Sequence, residues 1–296
     1  MSLDRLAPAL FVLLWSTGWV VAKFGAIYSD PLTFLSVRYV AAAVLFAMLC
    51  RLAGVRWPRD RVTIFHAVVS GAFLHGFYLA AVWWAVGQGV PAALSGIIAA
   101  LQPLMTALAA PYIIGERLSP MQKLGIVLGF AGVALAIFPK FAGVGGADIP
   151  TLALVVNVLG MTSVTYGTIY QKQHLHTGDI RAIATLQYLG ALVVTLPLAY
   201  LLEPLEIQLS WEFLALLGWS VLGISMGAVL LLLYLIRRGQ VSRAASLIYL
   251  VPPLAAIEAA IAFGEELTVP MIVGTAIVVA GVYLANRKEV RTAPAE

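Results

Sequence analysis

Polar and aromatic side chains interrupt an otherwise apolar chain, and their types suit the holding of a small solute better than covalent chemistry. Trp15 and Trp19 are four residues apart and share a helix face, with Ser16 beside them. His75 and Tyr78 have the same relation at a spacing of three, with Gly71 one turn before. Gln102 precedes Pro103, and Tyr249 precedes Pro252-Pro253 by one turn, with Ser246 close by. A proline inside a helix removes a hydrogen bond and can bend the chain, turning a carbonyl toward a solute. Asn157, Ser163, Tyr166, Gln187, Trp219 and Ser225 supply further amides, hydroxyls and rings. Aromatic walls favour an aromatic or apolar solute, and amides and hydroxyls can hold its polar end. The predicted substrate-binding set is Trp15, Ser16, Trp19, His75, Tyr78, Gln102, Asn157, Tyr166, Gln187, Trp219 and Tyr249. Structural roles compete for some of these: His75 can serve an interhelical hydrogen bond, and Trp19 and Tyr28 can belong to an interfacial belt.

Three charges fall within apolar runs: Lys23, Arg38 and Glu258. Lys23 is near enough to a helix end to snorkel. Arg38 and Glu258 are the predicted gating or charge residues, paired with each other or facing an outward cavity, where one would hold a substrate carboxylate. Enzymatic patterns are missing. The four histidines lie apart from any carboxylate cluster, Cys50 is the only cysteine, and no HExxH, GxSxG or Walker A sequence occurs. No catalytic residue, metal site or cofactor is therefore expected.

The elements that carry these groups must lie in lipid. Of 296 residues, 61% are hydrophobic and 11% charged, against about 25% charged in an average soluble domain. A net charge of +4 is too small and dispersed for nucleic-acid binding. Ten runs are long and apolar enough to cross a bilayer: Leu6–Phe24, Leu32–Leu52, Val62–Val86, Pro91–Ile114, Pro120–Phe138, Ile149–Tyr170, Arg181–Leu202, Trp211–Ile236, Val241–Phe263 and Thr268–Asn286. The first run continues to Phe24 without a small-residue cleavage site, so it reads as a retained helix. With the N-terminus in the cytoplasm, 15 of the 18 Lys and Arg fall on the cytoplasmic side. This predicts a multi-pass protein of the cell inner (plasma) membrane with both termini cytoplasmic. Oligomeric state is not set by the sequence, and a monomer suffices.

A shift of 149 positions brings Pro103 onto Pro252, Gly115-Glu116 onto Gly264-Glu265, Gly125 onto Gly274 and Gly132 onto Gly281. Ala and Leu coincide cheaply in this composition; Pro, Glu and three Gly in one ungapped register do not. The expected fold is all-α integral membrane, ten transmembrane helices arranged as two inverted-topology five-helix repeats, 1–143 and 144–296. Five is odd, so the second copy enters the membrane upside down. Inverted repeats with a site between the halves are a recurrent transporter design, because two similar halves can exchange conformations at little cost. A membrane-embedded enzyme and a non-transporting scaffold are the competing classes.

The segments GVPAALSGIIAALQPLMTALAAPYIIGERLSPMQKLGIVLGFAGVALAI and GQVSRAASLIYLVPPLAAIEAAIAFGEELTVPMIVGTAIVVAGVYLA resemble the paired signature halves of the drug/metabolite transporter superfamily, EamA family. LLWSTGWVVAKFG and PLTFLSVRYVAAAVLF resemble its opening helices, and WST in the first helix is similar to YddG-type aromatic amino-acid exporters. The resemblance implies efflux of amino acids or related metabolites by alternating access, without ATP. Other metabolites or drugs, such as nucleobases or cationic compounds, are the alternative cargo.

Overall fold

The structure, a computed structural model, describes residues 3–114, 118–141, 149–237 and 248–286. The Gly115-Glu116 turn, the 143/144 boundary, residues 241–247 (with Ser246) and the charges after Asn286 lie outside the described residues. The helices are α1 (Leu3–Tyr28), α2 (Pro31–Leu52), α3 (Arg61–Gly71), α4 (Tyr78–Gly87), α5 (Ala92–Ile98), α6 (Leu101–Ile114), α7 (Pro120–Phe141), α8 (Thr151–His174), α9 (Ile180–Leu202), α10 (Trp211–Gly218), α11 (Ala228–Arg237), α12 (Val251–Phe263) and α13 (Val269–Ala285). Among the described residues, eight helical stretches are long and apolar enough to span a membrane; Val251–Phe263 and Val269–Ala285 are apolar but shorter. Each of the ten expected runs carries helix among its described residues, but four of them are not continuous α-helix.

Two of these runs contain π-helix and two have a mid-membrane break or tighter turn, one of these opening a run described only from 248. α3 passes into α4 through a π segment, Ala72–Phe77, and α10 into α11 through another, Trp219–Gly227. α5 stops at Ile98, and α6 restarts at Leu101 after a two-residue turn; a 3₁₀ turn, Ile248–Leu250, precedes α12. These interruptions fall at matching places. Shifted by 149 positions, Ala72–Phe77 lands within Trp219–Gly227, and Ala99-Ala100 lands on Ile248-Tyr249. Pro103 and Pro252 sit in the first turn of the helix that follows each break, where the missing N–H breaks no intrahelical bond. They start helices rather than kink them.

Helix ends follow local chemistry. Asp60 accepts from Thr63 N at 2.6 Å, Ser210 from Phe213 N at 3.2 Å and Thr268 from Met271 N at 3.4 Å, each satisfying an orphan amide of the first turn. The Thr63 amide holds the Asp60 carboxyl below its usual range. Gly264 closes α12 in the left-handed conformation, φ 65°.

α7 and α13 pack in close contact, and glycine permits it. A Cβ on Gly132 would stand 2.7 Å from the Gly274 carbonyl, and one on Gly125 would stand 2.7 Å from that of Gly281. The helices therefore run antiparallel with their backbones touching. Under the 149-residue shift these two contacts exchange: Gly125 becomes Gly274 and Gly132 becomes Gly281. α2 packs along α9, where Tyr39 faces Tyr188 with ring centroids 5.9 Å apart. These tyrosines are equivalent under the same shift.

Candidate solute-binding site

A cavity of about 380 Å³ lies in the middle of the bundle, within the range of small-molecule sites. Trp15, Trp19, Arg38, His75, Tyr78, Gln102, Gln187 and Tyr249 line it, together with Leu74, Trp83, Pro103, Thr168, Gln171, Tyr188, Ser225 and Pro252. Both π segments, both breaks and both equivalent prolines reach its wall. A π turn displaces side chains from the α register and loosens carbonyls. Tyr39 uses this, donating its hydroxyl to the His75 carbonyl at 2.8 Å. His75 stacks on Tyr188 with centroids 5.1 Å apart.

The two ends of the cavity differ. Toward the α8–α9 junction its wall reaches Gln171 and Ile180, the latter the first residue of α9. There Gln187 Nε2 donates to Ser70 Oγ at 3.1 Å and to Gln171 Oε1 at 2.9 Å. Gln102 Nε2 approaches Thr168 Oγ1 at 3.4 Å. In the opposite direction the cavity stops at Trp19, Arg38 and Trp83. Arg38 is seven residues into α2, about 10 Å below its first turn. Beyond it Phe34 packs on Trp83 at 5.1 Å and on Phe213 at 5.5 Å, and all three are buried.

Outside that plug two carboxylates hold helix ends. Glu265 accepts from Ala92 N and Ala93 N, both at 2.9 Å, and from Lys23 Nζ at 2.6 Å, joining α5, α1 and the α12–α13 turn. Glu203 accepts from Leu32 N and Thr33 N at 2.8 Å and Thr33 Oγ1 at 2.9 Å, joining α9 to α2. The segment after Glu203 pairs with the end of α1: Asp30 N donates to Glu206 O at 3.1 Å and Gln208 N to Tyr28 O at 2.7 Å.

Arg38 is 5% exposed and faces the cavity. Its Nε donates to Ser225 Oγ at 3.1 Å, and its guanidinium lies 5.9 Å from the Trp83 ring centre. Among the described residues, no carboxylate forms an ion pair with it. The expected Arg38–Glu258 pair is not formed, and Arg38 stands where the cavity wall ends. Glu258 is half-buried off the cavity and bonded to Ser16 Oγ at 2.7 Å. Lys23 does not merely snorkel: it pairs with Glu265 and lies 4.6 Å from the Phe263 ring centre.

Five predicted site residues do not reach the wall. Ser16 and Glu258 are taken up by each other. Asn157 donates its amide to Ser95 Oγ at 2.7 Å, tying α8 to α5. Tyr166 and Trp219 point outward, 49% and 47% exposed. Tyr166 packs on Phe73, and Trp219 Nε1 donates to Thr17 Oγ1 at 3.1 Å. Tyr188, Trp83, Thr168 and Gln171 were not among the predicted residues. For Tyr188 a signal existed, because the repeat register pairs Asp30 and Tyr39 with Asp179 and Tyr188. Among the described residues, no group of three His, Cys, Asp or Glu could hold a metal ion.

A likeness to known proteins extends over the same architecture. One solved crystal structure superposes with a TM-score of 0.67 over 96% of both chains at 21% identity, a likeness of fold. The chain is 27% identical to the Bacillus subtilis transporter YvbV, over 95% of this chain and 90% of that protein. It is 26% identical to a probable amino-acid metabolite efflux pump of Salmonella typhimurium, over 95% and 94%. A probable terminal-alkyne amino-acid exporter of Streptantibioticus cattleyicolor is 26% identical over 95% and 93%. These relatives are named as transporters, pumps or exporters, not enzymes. The EamA-like transporter family matches residues 6–138 and again 151–287. With apolar spans around a central cavity and the same family matched in both halves, this chain is a multi-pass membrane transporter belonging to the EamA-like transporter family.

Proposed function

We propose that the protein exports small carboxylate-bearing metabolites, foremost amino acids with aromatic or apolar side chains, across the inner membrane by alternating access. The observation that carries this reading is Arg38: a buried cation at the blind end of an aromatic-walled cavity, without a protein counter-ion among the described residues. An unpaired charge at that depth is costly, and a ligand carboxylate offsets the cost. Trp19, Trp83 and Tyr188 stand around it for an apolar or aromatic side chain. The same cation disfavours cationic drugs by repulsion. Names of relatives support the amino-acid class, and a related Escherichia coli protein is named an inner membrane transporter.

Three observations support an inverted repeat with halves 1–143 and 144–296. They are the matching helix interruptions, the exchange of the Gly125–Gly281 and Gly132–Gly274 contacts under the shift, and the doubled family match. The shift-related pairs α2/α9 and α7/α13 run antiparallel, as opposite orientation in the membrane requires. The Lys and Arg distribution supports a cytoplasmic position for both termini. The α8–α9 end then faces the cytoplasm and the Lys23–Glu265 end the outside, so this conformation is inward-open. A monomer contains the whole cavity.

The test is counterflow in proteoliposomes with labelled phenylalanine, its amine analogue lacking the carboxylate, and a nucleobase. Wild-type protein exchanges phenylalanine and not the amine. Arg38→Gln slows that exchange by about 30-fold or more, the scale of a lost buried charge contact. Equal exchange of the amine, or wild-type rates in Arg38→Gln, overturns the reading.

A further inference from the structure

The Ser16–Glu258 pair lies between α1 and α12, away from the cavity wall, and the solute-binding reading does not use it. Its hydrogen count is informative. Ser16 Oγ is 2.7 Å from Glu258 Oε1 and 3.0 Å from the Leu13 carbonyl, and it owns one proton. Glu258 Oε2 is buried without a partner, and among the described residues Glu258 joins no ion pair. An ionised carboxylate there would hold a full charge at membrane depth on a single hydroxyl donor, which is costly. A carboxylic acid resolves the arrangement: Glu258 donates to Ser16 Oγ, and Ser16 donates to Leu13 O.

Among the described residues, the elements packed on α12 bring no charge into contact with Glu258. α5 has no titratable side chain, α13 carries only the exposed Tyr283, and Ile248–Leu250 carries Tyr249. On α1, Lys23 lies two turns further on and is held by Glu265. Among the described residues Glu258 is thus the one titratable group of the α1–α12 seam outside the Lys23–Glu265 pair, and the position of α1 sets its environment. Trp15 and Trp19, on either side of Ser16, line the cavity.

We propose that Glu258 is a proton-binding site whose occupancy is tied to the contact between α1 and α12, making solute export an exchange for a proton. This rests on the alternating-access reading above. In the inward-open state Glu258 carries a proton. There solute arrival loosens the α1–α12 contact, the carboxyl O–H bond breaks and the proton passes to cavity water continuous with the cytoplasm, so the carboxylate is what remains as the site turns outward with the solute. A proton from the outside restores the acid when the seam closes again. The solute travels one way and the proton the other, with charge conserved at each step.

Infrared difference spectra and spin-label distances test the site without any solute. At neutral pH the wild-type protein shows a carboxylic acid C=O band that Glu258→Gln lacks. Labels at Leu13→Cys and Ile257→Cys, in a Cys50→Ala background, report the seam. Alkaline pH raises the separated population of the wild type about tenfold and leaves Glu258→Gln unchanged. Ser16→Ala, which removes only the partner, shifts the midpoint of that transition and serves if Glu258→Gln does not fold. In proteoliposomes an imposed pH gradient speeds wild-type phenylalanine flux, while Glu258→Gln ignores the gradient but retains counterflow. A missing band, a pH-independent distance in the wild type, a shift persisting in Glu258→Gln, or flux indifferent to the gradient overturns the proposal. A band and a pH-driven separation with no flux of any solute would leave the proton site standing and remove the transport reading of the cavity.

Discussion

Arg38 and Gln187 coincide under the 149-residue shift, and the ends of the cavity they stand at are built differently. At the Arg38 end, aromatic rings fill the space beyond the guanidinium, and two carboxylates bind pairs of backbone amides at the starts of α2 and α5. At the Gln187 end, neutral amides and hydroxyls join Ser70, Gln171, Gln102 and Thr168. Hydrogen bonds to a charged acceptor contribute about 1.5–3 kcal/mol, against about 1 kcal/mol for neutral ones. On the proposed repeat, sequence differences at positions related by the shift would decide which end is closed. On this comparison, removing the clasp at the Arg38 end should convert the conformation, and weakening the Gln187 end should change little.

The largest effect is expected from Glu265→Ala. It unties Lys23 and leaves the Ala92 and Ala93 amides without their acceptor, a loss of about 3 kcal/mol at one end. That shifts a two-state balance by about two orders of magnitude. A cysteine at Ser36, buried beside the plug, should react with a membrane-impermeant thiol reagent at least about tenfold faster in the Glu265→Ala protein. Unchanged labelling would mean that the closed end does not depend on this carboxylate. Phe34→Ala comes next. Removing a fully buried ring that contacts Trp83 and Phe213 costs about 3–5 kcal/mol. The thermal midpoint in detergent should fall, and ions or small solutes should leak through the variant.

How far these ends could be read from the sequence depends on what fixes each feature. The glycine seam was legible because touching backbones admit no other residue, so Gly125, Gly132, Gly274 and Gly281 mark the contact. The helix breaks were half legible. Pro103 and Pro252 announced an irregularity, yet it falls before them, where a proline can open a helix. The π segments carry no residue signature beyond nearby glycines, since an extra residue in a turn is settled by what packs around it. The Lys23–Glu265 clasp joins residues 242 apart, a distance no local pattern spans. Trp219 and Tyr166 were expected in the cavity because their tips are polar. A polar tip, however, does not tell which face a ring occupies, and a hydroxyl such as that of Thr17 satisfies an indole facing outward.

A smaller effect should come from Gln187→Ala at the opposite end. It removes two neutral hydrogen bonds, with Ser70 and Gln171, and costs about 1 kcal/mol or less in stability. Phenylalanine counterflow should stay within about fivefold of wild type, in contrast with Arg38→Gln. If the two variants lose exchange equally, charge is not what separates the repeats, and the assignment of Arg38 to the carboxylate loses its main support.

The smallest effect is a pH response confined to the carboxylate-clasped end. Burial pushes the Glu203 carboxyl above its ordinary value of 4.5, outweighing the amide and hydroxyl donors that pull it down, and Asp30 adds to the rise. A folded state that holds this proton more tightly than the unfolded chain gains stability as pH falls toward 4.5 and loses it as pH rises through the folded-state value. The Glu203→Gln protein lacks this dependence. The difference in thermal midpoint between wild type and Glu203→Gln should therefore move in favour of the wild type on mild acidification, by on the order of a few °C. The Gln187 end has no such group in its amide network and should contribute no matching slope. A difference that stays flat, or that favours the wild type more as pH rises, would show that the three donors outweigh burial. Glu203 would then clasp α2 as a stabilised carboxylate, which would enlarge the contrast between the ends.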